Sequence, residues 1–156
     1  MCIGIALPLH DLPETLIQRH RLGERIARRD PESGREVQFL YRHPRPILPV
    51  WIDRQLCIVE WGSRDRSQPL PRTGWCRVED VESGLWQQLQ PDRVHIPALL
   101  ALERGVWFVV EEGIQGLLVR DRQHRPHVYI LTEPASYYYR IMTRNSWMPV
   151  LLGRRI

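Results

Sequence analysis

The sequence predicts a mainly β (α+β) domain with a few peripheral helices, and three observations point there. Short apolar runs recur between turn signals, thirteen prolines and ten glycines are scattered among them, and only three segments carry helical features. The 156 residues, 43% hydrophobic and 26% charged, fit one compact domain spanning 1–156, with no repeat, low-complexity tract or long linker. In chain order, Cys2 to Leu7 reads as a strand. A helix then starts at Asp11, with Pro13 in its first turn and Glu14 completing an Asp-x-x-Glu capping box, and runs to about Arg29. Asp30-Pro31-Glu32-Ser33-Gly34 ends it, and Arg42-His43-Pro44-Arg45-Pro46 is a proline-punctuated connection. Strand-length runs follow at Ile47 to Ile52, Gln55 to Glu60, Val106 to Val110, Gly116 to Val119, His127 to Leu131 and Met148 to Leu152. Two short helices lie between them. Glu82 to Leu89 puts Leu85, Trp86 and Leu89 on one face, and Pro134 to Met142 carries three consecutive tyrosines.

Several function classes drop out. No run approaches the roughly 18 apolar residues of a membrane span. Met1 to Leu9 lacks the basic region and cleavage site of a secretory signal, so a cytoplasmic location is the expectation, with no membrane partner. Cys2, Cys57 and Cys76 are odd in number and form no C-x-x-C pair, which argues for reduced thiols and against a zinc ribbon; no metal or other cofactor is expected. All 22 basic residues are Arg, and the net charge is +4. Arginine suits bidentate phosphate contacts and base stacking, but genome base composition produces the same bias.

Cys2 has the most distinctive position. Removal of Met1 leaves a residue with an α-amine beside its thiol. A free α-amine titrates at about 7.7–8.0 and a thiol near about 8.5, so both are nucleophiles near neutral pH. Such a 1,2-aminothiol condenses with an aldehyde to a Schiff base and then a thiazolidine. With no lysine in the chain, any protein Schiff base must come from this terminus. The alternative is a second codon that merely encodes Cys. Cys57, inside Leu56-Cys57-Ile58-Val59, is expected to be buried and inert, and Cys76 beside Arg77 is expected to be structural. His124 and His127 are three apart, but Pro126 between them makes a solvated hairpin loop the better reading than a metal site. Glu111-Glu112 is either an acid/base pair or a polar turn. The six tryptophans offer base-stacking surfaces or core.

Met1-Cys2-Ile3-Gly4, Trp61-Gly62-Ser63-Arg64, Trp75-Cys76-Arg77-Val78-Glu79, Phe108 to Leu117, Leu131-Thr132 and Asn145-Ser146-Trp147-Met148-Pro149-Val150 follow one another in a telling order. Together they resemble a divergent member of the SOS response-associated peptidase (SRAP) family, over almost the whole chain. Members of that family typically open Met-Cys-Gly-Arg, then carry Trp-Gly-Leu-x-Pro, Asn-Ala-Arg-x-Glu, Ala-Asp-Gly-Phe-Tyr-Glu-Trp, Leu-Thr and His-x-Arg-Met-Pro-Val. The resemblance implies a compact β-rich fold with a basic groove for single-stranded DNA. It also implies an N-terminal Cys that forms a thiazolidine with the ring-opened aldehyde of an abasic site; the peptidase label refers to release of the residue before Cys.

Carried over by position, the resemblance makes Cys2, Glu112 and Asn145 the catalytic candidates and Arg77, Glu79, Trp61, Trp75, Met148 and Pro149 the DNA-binding ones. Arg77 would meet a phosphate, Glu79 would orient it, and Trp61 would shape the groove wall. The departures are Trp75 at the family's Asn, Gly116 at its Glu and Asn145 at its His. Glu112, four residues before Gly116, is a possible substitute that aligns with the family's Asp. The expected function is binding of abasic-site single-stranded DNA with cross-linking through Cys2. The alternative is a degenerate, non-catalytic relative, such as a mobile-element copy, that binds nucleic acid or a protein without covalent chemistry. A conventional cysteine hydrolase fits least, since none of the six histidines falls where the resemblance needs a base.

Overall fold

The computed structural model describes residues 1–153. It is mainly β, with two sheets around a shared core. The smaller sheet has five strands: β1 (Gly4–Pro8), β2 (Ile26–Ala27), β3 (Glu36–Leu40), β8 (Leu100–Glu103) and β9 (Val106–Val109), in the order β2-β3-β1-β8-β9. The larger has seven: β4 (Ile47–Ile52), β5 (Gln55–Trp61), β6 (Trp75–Arg77), β7 (Asp92–Ile96), β10 (Ile114–Arg120), β11 (Pro126–Pro134) and β12 (Trp147–Pro149). Its strands β10-β7-β4-β5-β11 run in sequence, and β10 also pairs with β11, so the path closes on itself as a small barrel. Closure removes the free edges that a sheet otherwise exposes to stray pairing.

β11 is the spine of the barrel. Its first half pairs with β10 on one side and β5 on the other; its second half pairs with β6 and β12, which flank Thr132 at Arg77 and Pro149. Both faces of β11 are covered, Val128 and Ile130 packing into one core cluster and Tyr129 and Leu131 into a second, so Val128 to Thr132 are all buried. Ile5, Phe39, Leu48, Val50, Trp61, Ile96, Ile114 and Ile130 fill the space between the sheets.

The helices are α1 (Glu14–Arg19), α2 (Val78–Glu82) and α3 (Tyr137–Thr143). The structure shortens the long N-terminal helix that the sequence predicts. Asp11 caps nothing: it lies in a single 3-10 turn, Leu9–Asp11, and α1 starts behind Pro13 without a side-chain cap. Arg21 takes a left-handed conformation that interrupts the path, a 3-10 turn follows over Leu22–Arg25, and Ile26–Ala27 pair with β3. The helix expected at Glu82 to Leu89 is also displaced. It begins four residues earlier, at Val78, and ends at Glu82, just before Gly84, whose φ of 87° suits glycine; Gln87–Leu89 form a separate 3-10 turn. Trp86 is buried there but Leu85 points outward. The last expected strand stops at Pro149, three residues short.

β4 matches its expected span, and β5, β9, β10 and β11 agree within a few residues. His127 does not sit in a solvated loop: only His124 does, and His127 is buried on β11, opposite Val119. The carboxylate-rich turn at Glu111-Glu112 is a turn between β9 and β10. No helix among the described residues is long and apolar enough to cross a membrane.

Candidate functional site around the N-terminus

The ladder positions of β1 and β8 decide what meets the N-terminus. Gly4 pairs with Leu102, and the Ile3 N–H donates to the Leu102 carbonyl at 2.8 Å. The next residue on β8 is Glu103, in phase with buried Ala101, so its side chain enters the interior. The Met1 ammonium meets Glu103 Oε1 at 2.9 Å, and Asn145 Nδ2 donates to the same oxygen at 3.0 Å. The Tyr139 hydroxyl donates to Oε2 at 3.1 Å. Both carboxylate oxygens are thus served, as a buried charge requires. Burial, followed by the charge of Glu103, holds the Tyr139 phenol well above its ordinary value, so it remains a donor.

Cys2 lies beside this carboxylate and is fully buried. Its Sγ lies 3.2 Å from the Gly4 carbonyl, and burial pushes the thiol up to about 12. The Trp75 indole N–H donates to the Cys2 carbonyl at 2.8 Å, which fixes the backbone next to the Met1–Cys2 peptide bond. Trp75 is itself braced by Tyr41 and Trp61, with ring centroids at 4.6 and 6.0 Å. Trp61 in turn donates to the Gly74 carbonyl at 2.9 Å, which secures the segment leading into β6.

A cleft of about 880 Å³ opens from this corner, with Met1 at one end. Trp75, Arg77, Thr132, Leu85, Trp86 and Leu89 are among the residues that line it. Arg77 lies with its guanidinium 4.1 Å from the Trp147 ring centroid and 3.8 Å from Glu79. The carboxylate contact is loose and exposed and holds little, so the ring does more to orient the arginine.

No family model, curated protein or solved structure matches this chain.

Of the residues that the sequence singles out, the fold brings Cys2, Trp75 and Asn145 together at the terminus and Arg77 and Glu79 at the cleft rim. Trp61, Met148 and Pro149 are interior and buttress the site without facing a ligand. Glu112 lies in the exposed β9–β10 turn, where its carbonyl accepts from His95 Nε2 at 2.8 Å; it is not among the groups that contact the terminus. Gly116 lies inside the barrel wall, where an added Cβ would come within 2.8 Å of Ile96 and Val128, so no carboxylate fits at that position.

The residue that the sequence reading missed is Glu103. Its signal was the Arg104-Gly105 pair, both at positive φ, which closes a two-residue hairpin before β9 and so implies a partner strand. Alternation along that strand then places an acid on the buried face. Cys76 also lines the cleft, but burial pushes its thiol up to about 12, and it stays protonated. Among the described residues no cluster of three or more His, Cys, Asp or Glu is arranged to hold a metal ion.

Proposed function

We propose that this protein binds single-stranded DNA carrying an abasic site and, once Met1 has been released by hydrolysis, joins it covalently through Cys2. The observation that carries the reading is the terminal ammonium, one residue from Cys2, held by the buried Glu103 carboxylate while Met1 lines an open cleft. The resemblance of the chain's motifs to SRAP proteins supplies the substrate class.

The chemistry balances without an oxidant. Loss of a proton from the Cys2 ammonium frees the amine, which adds to the aldehyde carbon of the ring-opened deoxyribose. The carbinolamine loses water to a Schiff base. Sγ then adds to the C=N carbon while the thiol proton passes to nitrogen, giving a thiazolidine. Glu103 is the base and acid within reach of the terminus, and Asn145 and Tyr139 aim its two oxygens. A thiol held up to about 12 is protonated at neutral pH, so the amine attacks first and ring closure needs that proton relay. Arg77 at the rim is the cation for a flanking phosphate.

The test mixes Met1-processed protein with a single-stranded oligonucleotide bearing one abasic site and looks for a denaturant-stable adduct by gel and intact mass. The proposal expects an adduct 18 Da lighter than the sum of its parts, a difference set by about one water lost in condensation, absent in Cys2→Ala. DNA binding without any adduct would overturn the covalent step and leave the non-covalent alternative, which the complete burial of Cys2 favours.

A further inference from the structure

Helix α3 buries one face and leaves the other bare. Tyr139 and Thr143 point inward, whereas Tyr137, Tyr138 and Ile141 are 68%, 70% and 66% exposed, with Arg140 and Arg144 exposed alongside them. Tyr137 and Tyr138 pack edge to face, centroids 5.7 Å apart at 77°, so each ring props the other while keeping surface open to solvent. Nothing in the packing requires two tyrosines there. From Pro134 to Met148 the sequence contains no Asp or Glu. The patch is therefore aromatic and cationic, with a single aliphatic side chain, which suits a polyanion with π-faces better than an apolar protein or a lipid surface.

The segment that follows α3 reaches the terminus and the cleft rim. Asn145, two residues after α3, bonds Glu103 at the terminus, and Trp147 carries the Arg77 guanidinium at the rim.

We infer that the outer face of α3 is a stacking platform for unpaired bases flanking the reacting nucleotide, with Tyr137 and Tyr138 under the bases and Arg140 and Arg144 on the phosphates. This rests on the function proposed above, and it names a surface that the covalent chemistry does not need. Because both tyrosines are solvent-facing, replacing them leaves the core intact.

The experiment titrates a fluorescein-labelled single-stranded oligonucleotide into wild type, Y137A/Y138A, Y137F/Y138F and R140Q/R144Q by fluorescence anisotropy. It also measures Cys2 adduct yield at saturating abasic DNA. Stacking on one aromatic is worth enough that the alanine pair should raise Kd about 10-fold or more, while the phenylalanine pair keeps wild-type affinity. The glutamine pair should flatten the log Kd against log salt plot by about 1.4, two phosphate contacts at roughly 0.7 each. Unchanged affinity in Y137A/Y138A overturns the platform even if the Cys2 adduct forms normally. Equal loss in the phenylalanine pair overturns stacking in favour of the hydroxyls. Weakened binding with no adduct in any protein upholds the platform and removes only the covalent step; absence of wild-type binding overturns both.

Discussion

Glu103 is a charge that the fold has taken out of water and then surrounded with donors. A carboxylate buried to this degree is tolerable because Met1, Asn145 and Tyr139 each donate to it. Glu103→Gln tests whether that charge works or merely packs. The amide keeps one oxygen for Met1 and Asn145 and presents its NH₂ to Tyr139, whose hydroxyl turns to accept. Stability should fall by only about 1 kcal/mol in urea unfolding, since shape and hydrogen bonds survive. The rate of adduct formation should fall about 10²–10⁴-fold, the usual loss of a general acid/base, with the final yield retained. An unchanged rate in Glu103→Gln would make the carboxylate a structural anchor for the terminus alone.

At the scale of elements, the turn after β5 shows how a short motif in the sequence acquires a structural reason. Gly62 has φ 69°, and an added Cβ there would collide with the Thr73 carbonyl. Its own N–H donates to the Val128 carbonyl and its carbonyl lies 2.8 Å from His127 Nδ1, so the backbone has no room to retreat. Gly62→Ala should therefore destabilise by about 3 kcal/mol or more, seen as a drop of the denaturant midpoint at unchanged slope. The tightly paired strands of the barrel were legible because short apolar runs bounded by turn signals mark them, as at Ile47–Ile52 and Pro126–Pro134. β3, β6, β7 and β8 were not, because Trp-Cys-Arg and Asp-Arg-Val-His-Ile carry mixed polarity and are strands only through their neighbours. The same cause hid Glu103 while Cys2 and Arg77 stood out. A charged residue on a strand reads as surface until the pairing of that strand is known. The Asp11 cap misled for the opposite reason: its local signal was sound, but Arg21 and the pairing of Ile26 with β3 overrode it.

Across the whole molecule, residues that line the cleft are tied down by the turn between β10 and β11. The Asp121 carboxylate sits at the β10–β11 turn, accepting from His127 Nε2 at 2.9 Å, from Arg125 Nε at 3.0 Å and from the backbone N–H groups of Gln123 and Arg125. His127 Nδ1 faces the Gly62 carbonyl at 2.8 Å, so this one cluster locks the turn to the end of β5. Gln68 extends the tie: it bonds Gln123 and the Arg122 N–H, holding the segment that carries Pro69, Leu70 and Pro71 to the cleft. Burial alone would raise the Asp121 carboxyl, but the hydrogen bond from His127, the two backbone N–H groups and the Arg125 charge outweigh it and hold it at about 2. A carboxyl lower in the folded state than its ordinary 3.8 binds fewer protons there than when unfolded. Its stabilisation is fully present above that ordinary value and is lost as pH falls toward about 2. Urea unfolding followed from neutral pH down to that limit should show stability dropping through this window. Asp121→Asn should lower stability at neutral pH, by about 3 kcal/mol for breaking a paired buried charge, and remove the part of the drop on acidification that Asp121 contributes. Because the tie ends in the cleft wall, the same substitution should weaken oligonucleotide binding while leaving Cys2 and Glu103 in place. A variant with wild-type affinity and a wild-type acid profile would show that the wall holds its shape without the pin.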